Sequence, residues 1–382
     1  GLSMDEANSS TEIMKMAKEV LLKWENKDKK IISLWKKMNS WVYDGFNKTY
    51  DLIEVDFDKN YYESETYLLG KKQIKKGLLN KIFYKEKDNS VWVDLTDEGY
   101  DKKILLRNDG TSVYMTQDIG TAIKRFEDFP SIVKQIYTVG SEQDYHFKIL
   151  FKILEKLNYK WAKECFHLSY GMIDLPSGKM KSREGTVVDA DQLIYDMVET
   201  AKKRTNDLGK IDDFDTGDSK TLYNVIALGA LKYFLLKVDP KKRMLFDPEE
   251  SIDFHGNTGP FIQYTYARIF SIIKRANTLK LDYKNFNYSK KLNITSFQKK
   301  LINHIYQFSE AIDISSESYS PSVIAKYVYE LSKTYNSFYQ DDKIFDGKNN
   351  ETTLFKIALS NMVLKTIKNS LILLNIRVPN KM

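Results

Sequence analysis

The chain has 382 residues, a charge balance of 59 Lys and Arg against 52 Asp and Glu (formal net charge +7), and a single cysteine, Cys165. That length fits about two to three domains, each able to bury its own core, and the mild positive excess permits a polyanionic partner without requiring one. One cysteine excludes disulfide frameworks and cysteine-based zinc sites; the four histidines are too scattered for metal-ligand spacing, and no apolar run reaches the ~18–20 residues of a membrane span, so a reducing, cytoplasmic setting is expected.

In chain order, Ile13, Met16, Val20 and Trp24 repeat on one helical face, and Ile31, Leu34, Trp35, Met38 and Val42 do so again, which predicts two amphipathic helices. The next stretch changes character. Val91-Trp92-Val93-Asp94-Leu95 alternates like a strand and pairs with Lys81-Ile82-Phe83-Tyr84 across Asp88-Asn89, predicting a small α+β insertion at about 43–112. From residue 113 the pattern becomes strand, polar loop, helix, repeated. Ser112–Thr116, Gln135–Val139 and Cys165–Tyr170 read as strands, the first two leading into helices through Arg125 and Leu154 and the third ending in Gly171-Met172. Such alternation implies parallel strands with helical crossovers, which bind ligands beyond the carboxyl ends of the strands. After a polar stretch at 206–220 the chain reads as wholly helical. Its apolar stripes run through Leu222–Leu236, Ile262–Ala276, Phe297–Ile312, Ile324–Phe338 and Leu354–Leu374, a bundle pattern.

Several polar constellations fall at informative places. Gly178-Lys179-Met180-Lys181-Ser182-Arg183-Glu184-Gly185 has glycine at both ends and three cations in five residues. Such a loop can close over a ligand, and Lys179, Lys181 and Arg183 could neutralise a triphosphate; a solvated hairpin turn has the same composition. Asp118, at the predicted mouth of the sheet, could pair two-point with a guanidinium beside Tyr114, or could simply stabilise a helix N-terminus. Gln143 and His146 open the following helix, the first able to donate and accept at a substrate's polar end, the second able to meet a nucleotide or to serve structurally. Gln263, Tyr264 and Arg268, with Tyr335, Asn336 and Tyr339 further on, are candidates for stacking on unpaired bases and contacting phosphate. Aromatic packing inside the bundle is the competing explanation, and Tyr335 sits on its helix's apolar stripe.

Taken together these segments resemble the arginyl-tRNA synthetases. The similar stretches, in order, are Tyr114-Met-Thr-Gln-Asp118, Gly140-Ser-Glu-Gln143-Asp-Tyr-His146-Phe, Gly171-Met172 with the loop through Ser182-Arg-Glu-Gly-Thr-Val-Val188, Gly256-Asn-Thr-Gly-Pro-Phe-Ile-Gln-Tyr264, Tyr335-Asn-Ser-Phe-Tyr339 and the closing Arg377-Val-Pro-Asn-Lys-Met382. The resemblance implies a truncated, Rossmann-like α/β parallel-sheet catalytic part over residues 1–218, with the α+β insertion and the C-terminal half of the nucleotide fold at 113–200. Connecting helices over 219–255 and an all-α helix-bundle anticodon-binding domain over 256–382 would follow.

It further implies ATP, accompanied by Mg2+, L-arginine and tRNA(Arg) as partners. Tyr114, Asp118 and Gln143 would recognise arginine; His146, Gly171 and Met172 would lie against the nucleotide. Lys179, Met180, Lys181, Ser182 and Arg183 would hold its phosphates. Gln263, Tyr264, Arg268, Tyr335, Asn336 and Tyr339 would meet the RNA. Two departures stand out: Ser182 replaces the second lysine of the class signature, as is common in arginyl enzymes, and no His-x-Gly-His occurs in the 382 residues. That signature, the first strand of the nucleotide fold and a tRNA-elbow domain belong upstream of the similar region. The polypeptide alone is therefore expected not to form arginyl-adenylate. Full-length members are expected to be monomers, whereas an unpaired strand edge favours a non-native dimer or partial disorder near 113–172. A non-catalytic tRNA-binding module of synthetase ancestry is the alternative.

Overall fold

A computed structural model describes residues 11–66, 68–174, 189–207, 216–284, 292–345 and 351–382. It comprises two compact units, Gly1–Asp58 and Lys59–Met382. The first is a pair of helices, α1 (Glu12–Glu25) and α2 (Lys29–Ile53), as the two apolar stripes predict. Lys27 turns the chain at a left-handed φ of 58°. Asp28 then caps α2, its carboxylate accepting from the amides of Lys30 at 3.0 Å and Ile31 at 3.1 Å. Trp24 meets Trp35 edge-on across the hairpin, ring centres 5.7 Å apart.

The second unit begins with α3 (Leu69–Leu79) and an antiparallel meander, β1 (Tyr84–Lys85), β2 (Val91–Val93) and β3 (Lys103–Leu106). The hairpin predicted around Asp88-Asn89 is present: Asn89 takes φ 69°, and the Asp88 carboxylate accepts from Ser90 N at 2.9 Å. β3 was not foreseen, because Ile104-Leu105-Leu106 is too short a run to show alternation.

The strand predicted over Ser112–Thr116 is a helix start instead. Only Ser112 bridges, to Leu106, and α4 runs Tyr114–Asp128. Met115, Ile119 and Ile123 recur at helical spacing and are buried; that longer-range period overrides the local β-propensity of Val113 and Tyr114. Tyr114 and Asp118 therefore sit one turn apart on a helix rather than at the end of a strand.

β4 (Gln135–Gly140), α5 (Asp144–Lys156) and β5 (Cys165–Tyr170) form the expected unit, with β4 and β5 parallel and in register from Gln135 opposite Cys165 to Gly140 opposite Tyr170. The core beneath them is shared with the insertion: Ile74, Val91, Val93 and Leu105 pack with Ile119 and Ile123 of α4 and Leu150, Ile153 and Leu154 of α5. Beyond β6 (Ile173–Asp174) come α6 (Ala190–Asp207) and α7 (Thr216–Leu236), which pack together, and β7 (Met244–Leu245) returns parallel to β6.

The remainder is helical: α8 (Gly259–Thr278), α9 (Ser296–Tyr306), α10 (Phe308–Ser318), α11 (Ser322–Asp341) and α12 (Glu351–Leu373). Thr258 caps α8 by accepting from Phe261 N at 3.3 Å, with Pro260 in the first turn. The apolar stripe over Phe297–Ile312 is two helices broken at Gln307, not one; both turn the same side to one core, so periodicity survives the break. That core includes Tyr233, Ile262, Ile269, Val328, Tyr335, Phe338, Ile357 and Ile367, all fully buried. Helices α7 and α8 cross at glycines. A Cβ on Gly259 would stand 2.3 Å from the carbonyl oxygen of Gly229.

Candidate functional site

Two places gather the candidate residues. The first lies where β4 and β5 end. Gln143 occupies a short 3-10 turn directly after β4 and is exposed, and Tyr114, at the first residue of α4, is 76% exposed. Asp118 and His146 come together: His146 Nε2 lies 2.6 Å from Asp118 Oδ2, joining α4 to α5. His167 on β5 is held nearby between Asp144 Oδ1 at 3.1 Å and the carbonyl of Val139 at 3.1 Å, its ring tilted against Phe147. The cluster thus offers a half-exposed carboxylate with one oxygen engaged by imidazole, the kind of group that accepts from a planar cation.

Gly171 follows β5, its amide donating to Pro240 O at 2.7 Å. A Cβ there would come within 2.5 Å of the Lys242 carbonyl, so the position needs glycine for close backbone approach. Met172 is about half exposed. Arg243 grips both carboxylate oxygens of Asp174, through Nε to Oδ2 and through Nη2 to Oδ1 at 2.8 Å. This two-point pair ties β7 to β6 at the point where the chain enters the cationic loop. Sequence reading missed Arg243, whose partner lies 69 residues away. Lys179, Met180, Lys181, Ser182 and Arg183 lie outside the described residues.

The second place is on the helix bundle, a cavity of about 620 Å³ between α8 and the end of α11. Among the described residues, four cationic side chains line it (Arg268, Arg275, Lys343 and Lys381) against one side-chain carboxylate, Asp342. That carboxylate is engaged by Gln298 Nε2 at 3.1 Å and Lys356 Nζ at 3.2 Å. Tyr264, Tyr339 and Phe345 add ring faces to the lining. The Arg268 guanidinium lies 4.9 Å from the ring centre of Tyr264 and 5.0 Å from that of Tyr339, and Arg275 lies 4.6 Å from Phe345.

Of the candidates on this domain, Tyr264, Arg268, Asn336 and Tyr339 are brought together. Gln263 and Tyr335 are not. Gln263 is wholly buried, its Nε2 donating to Val225 O at 3.0 Å and Arg377 O at 2.8 Å. Tyr335 is also wholly buried, its hydroxyl 3.0 Å from Ser360 Oγ. Both are corrected to structural roles, since neither has surface to offer a ligand. Arg275 was missed, yet the sequence carries its signal. Tyr264, Arg268, Ser271 and Arg275 are spaced 4, 3 and 4 apart, one helical face opposite the apolar stripe.

Comparison with known proteins bears on both places. The family profile described as tRNA synthetases class I (R), catalytic domain, matches residues 3–247, and the DALR anticodon binding domain matches residues 262–382. The chain belongs to the arginyl-tRNA synthetase family. The arginine–tRNA ligase of Flavobacterium psychrophilum is 51% identical over 385 residues, covering 100% of this chain and 63% of that protein. That of Bacteroides fragilis is 50% identical over 382 residues, covering 100% of this chain and 64% of that protein. The chain thus spans a little under two thirds of the length of these relatives. Among solved structures, the arginyl-tRNA synthetase of Plasmodium falciparum aligns with a TM-score of 0.81 at 22% identity, over 96% of this chain and 62% of that one. The Thermus thermophilus synthetase gives 0.78 at 20% identity, over 94% and 68%. The synthetase family expected from the motifs is therefore established, as is its fold class: a parallel-sheet catalytic part followed by an all-helical anticodon domain.

Proposed function

We propose that this chain serves arginine–tRNA ligation: activation of L-arginine by ATP to arginyl-adenylate with release of pyrophosphate, then transfer of the arginyl group to the terminal ribose of tRNA(Arg), in the cytoplasm. The single observation that carries the reading is the cationic, aromatic-lined cavity on the bundle, in one chain with a nucleotide fold of this family. Ring faces and guanidinium groups held side by side suit an unpaired base and its phosphate. In this reading Tyr264, Arg268 and Tyr339 meet the RNA, with Arg275 beside them, and Asp118 takes the arginine guanidinium with Tyr114 and Gln143 alongside. His146, Gly171 and Met172 border the nucleotide, and Lys179 to Arg183 hold its phosphates. Magnesium would enter with ATP, as the family resemblance implies. No helix of the described residues is long and apolar enough to cross a membrane.

The 382 residues contain no His-x-Gly-His, and the polypeptide by itself is expected to bind tRNA(Arg) without activating arginine. The test measures tRNA(Arg) affinity across a salt series together with arginine-dependent ATP–pyrophosphate exchange. Binding that weakens steeply with salt, with exchange absent, supports the reading. Absence of tRNA binding removes the role assigned to the bundle, and robust exchange removes the expected inactivity.

A further inference from the structure

Arg268 is held by more than its two rings. Its Nη1 donates to Asn336 Oδ1, Asn336 Nδ2 donates to Thr265 Oγ1 at 2.8 Å, and the Thr265 hydroxyl donates to Phe261 O at 2.9 Å. Each step fixes the direction of the next. A guanidinium carries only donors, so the amide of Asn336 must turn its oxygen toward Arg268. Its amino group then needs an acceptor, and Thr265 is free to accept because its own proton goes to the backbone carbonyl one turn back. Thr265 is completely buried, so no solvent competes for that oxygen. Asn336 itself does not line the cavity, whereas Arg268 does.

We propose that Asn336 is a positioning residue: it touches no ligand and acts by locking the Arg268 guanidinium so that its remaining N–H groups serve the cavity. The relay Phe261–Thr265–Asn336–Arg268 links α8 to α11 and back, with Tyr339 one turn beyond Asn336 on the same face. The guanidinium is thereby ordered before anything binds, which lowers the entropy cost of binding. This deepens the RNA-binding reading of the cavity and rests on it for the ligand, though not for the geometry.

Two measurements on the full chain test it. The first is a double-mutant cycle read by the affinity of a synthetic tRNA(Arg) anticodon stem-loop. Arg268→Ala and Asn336→Ala are each expected to weaken binding about tenfold, the scale of a lost charge-assisted hydrogen bond. Adding Asn336→Ala to Arg268→Ala is expected to change nothing further. An undiminished second loss would mean that Asn336 contacts RNA directly, and would overturn the proposal.

The second measurement needs no RNA. The sequence has only eight arginines, so Nη resonances of 15N-arginine-labelled protein can be followed, with Arg268→Lys assigning the signal. Slowed guanidinium rotation at Arg268 is expected in the unmodified chain and in Asn336→Asp, which supplies another acceptor. It is expected to be lost in Asn336→Ala and in Thr265→Val, while far-UV circular dichroism shows each variant folded. An Arg268 signal indifferent to Asn336→Ala overturns the proposal. A stem-loop that binds equally well to Arg268→Ala, beside NMR behaviour as expected, would instead remove the RNA-binding reading and leave the positioning role standing.

Discussion

The helix bundle and the nucleotide-fold half of this chain reach closure differently. A helix satisfies its own backbone within one segment, so α8, α11 and α12 need only bury their apolar faces on one another. The cavity between α8 and the end of α11 is lined from within the bundle, with Arg268 tied to Asn336, Tyr264 and Tyr339. In the other half β4 and β5 form a sheet of two strands among the described residues. Tyr137 on β4 is buried while Ile136, facing the other way, is 43% exposed. Parallel sheets of this kind are ordinarily covered on both faces. Phe166 of β5 does meet Tyr319 from the end of α10, ring centres 4.6 Å apart, which covers one point of that face. A site built on packed helices is finished locally, whereas one at the end of parallel strands depends on how many strands stand beside it.

Two probes weight the halves differently. No tryptophan lies in the bundle: Trp92 and Trp161 belong to the nucleotide-fold half and Trp24, Trp35 and Trp41 to the first unit. Far-UV circular dichroism, by contrast, reports every helix, so ellipticity lost without a tryptophan transition belongs to the bundle. The largest effect is expected from Gly259→Ala, which forces a methyl against the Gly229 carbonyl where neither backbone can yield. It should destabilise the bundle by at least about 3 kcal/mol in urea unfolding followed by circular dichroism. A tryptophan transition that shifted equally would show that the halves unfold as one. Next is Tyr335→Phe, which removes the hydroxyl bonded to Ser360 and should cost about 1 kcal/mol. Its affinity for tRNA(Arg) should stay unchanged; a loss of affinity would restore Tyr335 to the RNA-binding set.

What the sequence made legible follows the same division. The bundle's stripes announced its helices because burial imposes a period of 3.6 on long segments such as Ile324 to Phe338. The Tyr264–Arg268 spacing marked the polar face for the same reason. The burial of Gln263 is not legible, because a buried amide bonded to backbone carries the same letters as one facing solvent, whereas Tyr335 lies on the apolar stripe that already offers packing as the competing explanation. In the other half, Val113-Tyr114-Met115 has strand propensity over a few residues and helical burial over fifteen, and the longer pattern decided. The Asp118–His146 and Asp174–Arg243 pairs were beyond reading, since nothing in local spacing announces partners 28 and 69 residues apart.

Acid should separate the halves more gently. Burial holds the His304 imidazole below its ordinary range, against a smaller opposing pull from Glu330, and its Nδ1 is buried without a partner. Unfolded, it takes a proton near pH 6.5; folded, it resists. Its contribution is therefore complete above that pH and is lost as the pH falls through the lower folded value. Asp128, in the nucleotide-fold half, is held well below the usual carboxylate range by Lys124, Lys59 and the Tyr61 hydroxyl. Its contribution persists above the unfolded value of 3.8 and is lost only at more acidic pH. As the pH falls below about 6.5 the dichroism transition should soften while the tryptophan transition holds. His304→Leu should abolish that difference, and if it persists another group is responsible.

The smallest effect on stability, and the one that bears most directly on the open sheet, is expected from Ile136→Lys. The side chain is 43% exposed and lies opposite Phe166 in the parallel register. Replacing it removes little buried area, so the tryptophan-detected unfolding midpoint should move by less than about 0.5 kcal/mol. Its effect on association should be larger. An apolar face beside two strand edges that are unpaired among the described residues is a template for a second copy, and a lysine there opposes stacking by charge and by the cost of desolvating it. Sedimentation of the unmodified chain should show concentration-dependent association that Ile136→Lys reduces. Equal association by both would put the contact elsewhere, for instance on the sheet's hydrogen-bonding edge, where a charged side chain on the face has no purchase. A large loss of stability would mean that Ile136 is covered in solution, and the contrast between a closed bundle and an open sheet would then not hold.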